Sequence, residues 1–151
     1  MNFPMNEVAS QLEYEEIKVG SSYSFSRTIS ESDVADFARL SGDFNPLHVN
    51  EDFASNTQFG RPVVHGMMTA SLLSTLVGMY CPGEKGLYLS QTLQFKAPLY
   101  YGDSVIVIGT VMNKVDALRL VKIKTEIYRD EDLIVTGEAQ VRMIEKEVGN
   151  E

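Results

Sequence analysis

Apolar and polar residues alternate along much of the second half of the chain. The alternation has a period of two over residues 121–128 and again over residues 133–143, which is typical of strands with one covered face. Residues 104–111 are apolar on both faces and predict a central strand, and residues 87–96 predict a strand with one mainly apolar face. The connections between these strands are short, so we expect the strands to pair antiparallel.

The first half of the chain has the spacing of helices after a single predicted strand at residues 23–29. Ser30 precedes Asp33 by three residues, an arrangement that caps the start of a helix, and apolar residues then recur at helical spacing until Gly42. Residues 66–80 are apolar almost all round, which predicts a helix that is buried on most faces.

Between these two helices, residues 43–62 lose periodicity and carry loop-forming Asn, Pro and Gly. We expect an irregular segment there, with one helical turn at residues 51–55. An antiparallel sheet and an apolar helix can cover each other's apolar faces, so the sequence predicts an α+β fold. We expect one domain over residues 19–144, with a polar N-terminal extension at 1–18 and a tail at 145–151.

Net charge and cysteine content narrow the range of partners. The 151 residues include 13 Lys+Arg and 21 Asp+Glu, and the resulting charge of −8 argues against nucleic-acid binding and polybasic membrane binding. One cysteine, Cys81, and two histidines are too few for a cage of imidazoles and thiolates, so we expect no metal and a reducing compartment. No apolar run resembles a secretory signal or a membrane span, and we expect a cytoplasmic protein.

The irregular segment carries the first candidate for chemistry, in Asp43 and His48. A carboxylate and an imidazole five positions apart, in a loop fixed by Gly42 and Pro46, could converge on one small molecule and deprotonate a water. The same residues also allow a plainer interpretation. Asp43 could close an Asx turn, Asn45 could brace the loop, and His48 could be a hydrogen-bonded core histidine.

A second candidate lies where the apolar helix begins, at Gly66. Backbone N–H groups in the first turn of a helix point out of it and stabilise negative charge, and a glycine lets a ligand approach them closely. Such an N–H could donate a hydrogen bond to a negatively charged oxygen of a ligand. The alternative is that Gly66 only permits a tight turn into the buried helix.

These segments together resemble a known family. Ser41 to His48 reads SGDFNPLH and is followed by Ala54, which matches the hydratase motif of the MaoC-like (R)-specific enoyl-CoA hydratases. The resemblance continues through the motifs at 61–67, 93–98, 101–103 and 135–139, and it covers roughly residues 19–143. It implies a hot-dog fold, in which an antiparallel sheet wraps around a long central helix, and usually a homodimer.

The resemblance also implies a reaction and a set of residues. The reaction is reversible addition of water to a trans-2-enoyl-CoA, which gives an (R)-3-hydroxyacyl-CoA without a metal or redox cofactor. Asp43 and His48 resemble the catalytic pair that holds and activates the water. Gly66 resembles the backbone donor to the thioester oxygen, Ser74 a residue that assists Asp43 from the central helix, and Asn45 the supporting asparagine of the motif.

Two other functions remain open at the level of sequence. The same residues would serve a (3R)-hydroxyacyl-ACP dehydratase of fatty-acid synthesis, although a chain with a charge of −8 is a poor match for an acidic carrier protein. A non-catalytic hot-dog subunit that binds acyl-CoA would bind the thioester without converting it.

Overall fold

One antiparallel sheet forms the frame of the computed structural model, which describes residues 5–145. Its strands are β1 (Ser22–Thr28), β2 (Gly86–Gln91), β3 (Gln94–Phe95), β4 (Ser104–Val115), β5 (Leu120–Arg129) and β6 (Asp132–Met143). The order across the sheet is β1-β4-β5-β6-β2, and the short β3 also pairs with β6. Every pairing is antiparallel, as the short connections predicted.

Four helices lie between β1 and β2. They are α1 (Glu31–Ser41), α2 (Pro46–Val49), α3 (Glu51–Ser55) and α4 (Gly66–Thr75), and α4 continues into a π-helical turn at Leu76–Tyr80. The predicted capping box is confirmed, because the Ser30 hydroxyl accepts from the Asp33 N–H while the Asp33 carboxylate accepts from the Ser30 N–H. The chain leaves α1 at Gly42 with φ of +79°, a conformation that favours glycine.

The core lies between α4 and the inner face of the sheet. Val107 on β4 and Ile127 on β5 are fully buried, and they share one apolar cluster with Leu76 at the end of α4. The approach is close at Gly109, where an added Cβ would lie 2.9 Å from a Leu76 methyl. Burial of each such aliphatic side chain contributes roughly 1.5–3 kcal/mol, and these contacts hold α4 against the sheet.

The prediction of one strand at residues 87–96 is wrong, because the segment breaks into β2 and β3. The break lies at Thr92, whose carbonyl passes so close to Gly137 of β6 that an added Cβ there would lie 1.8 Å from it. Among residues 5–145, nothing fully covers the expected apolar face of β2. Leu87 and Leu89 on β2 are 43% and 51% exposed.

The long helix is less enclosed than its composition predicted. Its inner residues are buried, but one face of small side chains is open to solvent, at Ser71, Ser74 and Gly78. Nothing in residues 5–145 lies within 4 Å of the point where a Gly78 Cβ would stand. The prediction of burial on most faces agrees with the inner residues, and this face of small side chains is the exception.

Residues ahead of β1 contribute to the core. Tyr14 and Ile17 are 5% and 0% exposed and pack in a second apolar cluster with Val77 and Val111. The predicted boundary between extension and domain at residue 18 stays a prediction, and residues 1–4 and most of the predicted tail, 146–151, lie outside the described residues. Among residues 5–145, no helix is long and apolar enough to cross a membrane.

Candidate active site

The loop between α1 and α2 fixes the Asp43 carboxylate by short-range hydrogen bonds. The Asp43 N–H donates to the Ser41 hydroxyl at 3.1 Å, and the Asn45 N–H donates to Asp43 Oδ1, also at 3.1 Å. The Asn45 side chain caps α2 by accepting from the Leu47 N–H at 3.0 Å. One carboxylate oxygen of Asp43 is thus held by the loop, while Oδ2 faces His48.

His48 lies on α2 with a defined ring orientation. Its Nδ1 is 2.6 Å from the Val63 carbonyl oxygen, and since a carbonyl only accepts, Nδ1 must carry the proton. Neutral His48 therefore has its lone pair on Nε2, which lies 4.0 Å from Asp43 Oδ2. This distance is too long for a direct hydrogen bond, but one water oxygen can bond to both atoms.

Gly66 and His48 share one cavity of about 310 Å³. The other residues that line it are Phe59, Val63, Val64, Thr69, Phe95, Lys96, Ala97, Pro98, Leu99, Ile134 and Val135. Gly66 is the first residue of α4, so its N–H has no acceptor within the helix. An added Cβ on Gly66 would lie 3.0 Å from the Phe95 ring, which explains why a glycine fits here.

Behind these residues lies the second histidine, His65, which is 2% exposed. Its Nε2 donates to the backbone carbonyl of Asp43 at 2.9 Å. Its ring stacks on that of His48, with centroids 4.0 Å apart and planes at 30°. Residues 63–66 therefore supply a carbonyl to His48, an imidazole to Asp43 and a free N–H to the cavity.

The chain is similar to known proteins over most of its length. Residues 15–132 match the family described as MaoC like domain. The chain belongs to the MaoC-like family. It is 42% identical over 128 residues to an (R)-specific enoyl-CoA hydratase of Rhodospirillum rubrum, and the aligned residues cover 85% of this chain and 89% of that protein. It is 38% identical over 136 residues to a 3-hydroxybutyryl-CoA dehydratase of Methylorubrum extorquens, with 90% and 87% covered.

A solved structure shows the same fold. The (R)-hydratase from A. caviae involved in PHA biosynthesis superposes on this MaoC-like chain with a TM-score of 0.83 and 41% identity, covering 85% of this chain and 98% of that one. The hot-dog fold implied by the sequence motifs is confirmed. The α+β fold predicted from the sequence is therefore the hot-dog fold.

The fold brings some of the expected site residues of this MaoC-like chain together and leaves one apart. Asp43, His48 and Gly66 meet at or beside one cavity, and Asn45 braces the loop that holds Asp43. Ser74 is exposed on α4, does not line the cavity and makes no hydrogen bond to Asp43 within residues 5–145. The assignment of catalytic and supporting roles to these residues stays a prediction.

Asp43, His48 and His65 also form the one cluster of possible metal ligands in the described part of the chain, with ligand atoms within 4.8 Å of one another. The geometry does not suit an ion. The imidazole planes are stacked, so their in-plane lone pairs do not converge on one point. One nitrogen of each ring is also engaged with a backbone carbonyl.

The cavity wall is the part of the site that sequence reasoning missed. Phe95, Leu99, Ile134 and Val135 reach it from segments far from Asp43 in the chain. In the sequence Phe95, Ile134 and Val135 are ordinary apolar positions of strands, and the pairing of β3 with β6 brings them together. Leu99 lies in the segment after β3, where its carbonyl accepts from the Val64 N–H. No local signal distinguishes them from core residues.

Proposed function

We propose that this protein is an (R)-specific enoyl-CoA hydratase, which adds water reversibly to a trans-2-enoyl-CoA to give an (R)-3-hydroxyacyl-CoA. The observation that carries the proposal is the placement of the Asp43–His48 pair and the Gly66 N–H around one apolar cavity. The family and the similar hydratases support the same activity.

The chemistry needs a base at one end of the substrate and a donor at the other. Water held between His48 Nε2 and Asp43 Oδ2 attacks C3, the C2=C3 bond opens, and negative charge develops on the thioester oxygen. The Gly66 N–H donates to that oxygen, and the positive end of α4 stabilises its charge. C2 then takes the proton released by the water, so that only water is consumed and no cofactor is needed.

The cavity indicates the kind of acyl group. Its volume of about 310 Å³ is at the small end for a ligand pocket, and its wall is mostly aliphatic and aromatic. We expect short acyl chains to be preferred over medium ones. Lys96 also lines the cavity and is exposed, and we propose that its ammonium group meets the anionic part of a CoA ester at the surface.

The direct test is a stereospecific activity series. The purified protein is mixed with crotonyl-CoA and with longer trans-2-enoyl-CoA esters, and the loss of conjugated-enoyl absorbance is followed. Coupling to an R-specific dehydrogenase then reads the configuration of the product. We expect turnover that is fastest with short esters, and absence of turnover at every chain length would refute the proposal.

The same assay separates the alternatives. An ACP dehydratase would convert the carrier-bound ester much faster than the CoA ester, and the charge of −8 disfavours the approach of an acidic carrier protein. A thioesterase would release free thiol, which hydration does not. A non-catalytic subunit would bind the CoA ester without any change in absorbance.

We also propose that the protein is a homodimer. The supporting features are the open face of α4 with its small side chains, and strand β2, which ends the main strand order and exposes Leu87 and Leu89. An edge strand with uncovered apolar residues is a surface on which a second chain can pack.

We further propose that the enzyme acts in the cytoplasm. Its single cysteine is buried and forms no disulfide, which fits a reducing compartment.

Light scattering after size exclusion tests the dimer. Gly78→Arg places a long charged side chain on the open helix face, and Leu89→Lys does the same on β2. We expect the wild-type protein to have the mass of two chains and these variants to shift toward one. Lys124→Ala, an exposed change on β5, is the control. A monomeric wild type would contradict the proposal.

A further inference from the structure

His65 has an unusual position for a polar residue in this chain. It is 2% exposed, its ring contacts both the His48 ring and the edge of Phe37, and it does not line the cavity. Among residues 5–145, the ring makes one hydrogen bond, to the carbonyl of Asp43, which lies 22 residues earlier in the chain. The other ring nitrogen, Nδ1, is buried without a partner among the described residues.

That hydrogen bond fixes the protonation of the His65 ring. The Asp43 carbonyl only accepts, so Nε2 carries a proton, and Nδ1 has no acceptor for a second one. The hydrogen-bonding function of the ring is therefore directed at the Asp43 backbone, through the N–H at Nε2.

We propose that His65 is a positioning residue, which holds the Asp43 backbone so that the carboxylate keeps its spacing from His48. The inference rests on the proposed hydratase function. The other hydrogen bonds of Asp43 are local: its N–H donates to the Ser41 hydroxyl, and its carboxylate accepts from the Asn45 N–H. The adjoining helix α2 has its own ties to Val63, whose N–H donates to the Leu47 carbonyl and whose carbonyl accepts from His48 Nδ1. Among residues 5–145, the bond from His65 is the one that holds the Asp43 backbone itself to the segment before Gly66, so His65 sets the position of Asp43 relative to His48 and Gly66.

A series of four variants separates the hydrogen bond from the ring contacts. His65→Phe keeps an aromatic ring but has no donor, and His65→Ala has neither. His65→Gln can place an amide N–H near the position of Nε2, whereas His65→Asn, which is one methylene shorter, cannot reach it. Gln and Asn have the same chemistry, so the comparison between them isolates the position of the donor.

We expect His65→Phe and His65→Asn to lower kcat roughly 100-fold while the KM for the CoA ester stays nearly constant, because misplacement by about 1 Å has an effect of this size. His65→Gln should recover most of the loss. A general packing defect would instead affect Gln and Asn alike. Near-wild-type kcat in His65→Phe, or equal kcat in Gln and Asn, would overturn the inference.

A measurement without turnover keeps the inference separate from the proposed function. The carbonyl ¹³C resonance of Asp43 reports whether its oxygen accepts a hydrogen bond. It should shift in His65→Asn and stay near its wild-type position in His65→Gln. If the wild type does not hydrate any ester, the proposed function fails, and this spectrum still decides whether His65 holds Asp43. If His65→Phe does not fold, the Gln and Asn pair decides.

Discussion

The sheet core and the loop region of residues 43–66 are held together in different ways. In the core, residues such as Val107 and Ile127 contact several apolar neighbours across β1, β4, β5 and α4. In the loop region, the key side chains are each oriented by one or two hydrogen bonds, many of them to backbone atoms. Contacts in the core are redundant, whereas those of the site are not.

This difference implies that stability and activity depend on different residues. Removing one apolar contact in the core weakens the fold in proportion to the buried area lost. Removing one hydrogen bond at the site leaves the core intact, but it can move a reacting group by enough to abolish catalysis.

Replacement of either member of the proposed catalytic pair, Asp43 and His48, should affect activity almost exclusively. Asp43→Asn removes the charge and keeps the shape, and His48→Asn keeps a donor for the Val63 carbonyl but loses Nε2. We expect kcat to fall roughly 10³-fold in each, about 4 kcal/mol in the barrier, as for loss of an acid–base group. Steady-state hydration of crotonyl-CoA gives kcat, and urea unfolding gives the stability.

The matched control for this pair is Asp36→Asn, on the exposed surface of α1. It makes the same chemical change outside the cavity and should leave both kcat and the unfolding midpoint unchanged. Retention of near-wild-type turnover by Asp43→Asn would remove Asp43 from the mechanism, and equal losses in Asp43→Asn and Asp36→Asn would contradict a local effect.

Truncation in the core should produce the opposite result. Ile127→Ala on β5 removes a side chain that is 0% exposed and leaves a cavity, so the free energy of unfolding should fall by about 2–4 kcal/mol. The kcat of the folded fraction should be nearly that of the wild type. Denaturant unfolding and activity, measured on one preparation, check this. A selective loss of kcat at unchanged stability would show that the two regions are coupled.

Gly66 lies on the border between the core and the loop region, and Gly66→Ala should lower activity without lowering stability. The new Cβ would lie 3.0 Å from the Phe95 ring and crowd the backbone N–H, so we expect kcat to fall roughly tenfold. Stability should not fall, because alanine favours the helix and the Phe95 ring is 52% exposed and free to move. Gly66→Ala combined with Phe95→Leu should restore part of the activity if crowding is the cause.

Stability at alkaline pH should depend on the buried thiol of Cys81. Burial raises the pKa of Cys81 from 9.0 to about 12. Between these values the unfolded chain loses the thiol proton while the folded protein keeps it, so stability falls as pH rises, by up to about 1.4 kcal/mol per pH unit for one group. Cys81→Ala should reduce this slope between about pH 9 and 11, whatever its effect at pH 7. An unchanged slope would show that the thiol does not contribute.

Much of the fold could be predicted because it depends on local periodicity. The capping of α1 by Ser30, the central position of β4 and the hairpin between β5 and β6 each have a signal within a few residues. The break between β2 and β3 has no such signal. It arises where Thr92 crosses Gly137, a contact between segments that are about 45 residues apart in the chain.

The candidate site divides in the same way. The motif from Asp43 to His48 and the glycine at the start of α4 are visible in the sequence, and the fold brings them to one cavity. The role of His65 is not visible, because a buried histidine before a helix has no spacing that points to the Asp43 carbonyl. The size of the cavity also could not be predicted from the sequence, because segments far apart in the chain form its wall.

The segment of residues 63–66 gives this scaffold an advantage for protein engineering. Val63, His65 and Gly66 of this segment present the groups that would orient and complete the proposed reaction centre, whereas the acyl group would meet a wall that includes β3, β6 and Leu99. Under the proposed function, substitutions at Leu99, Ile134 and Val135 should change which chain lengths are accepted while the reacting groups keep their places. Selection for new substrates and preservation of the reaction would then act on separate parts of the sequence.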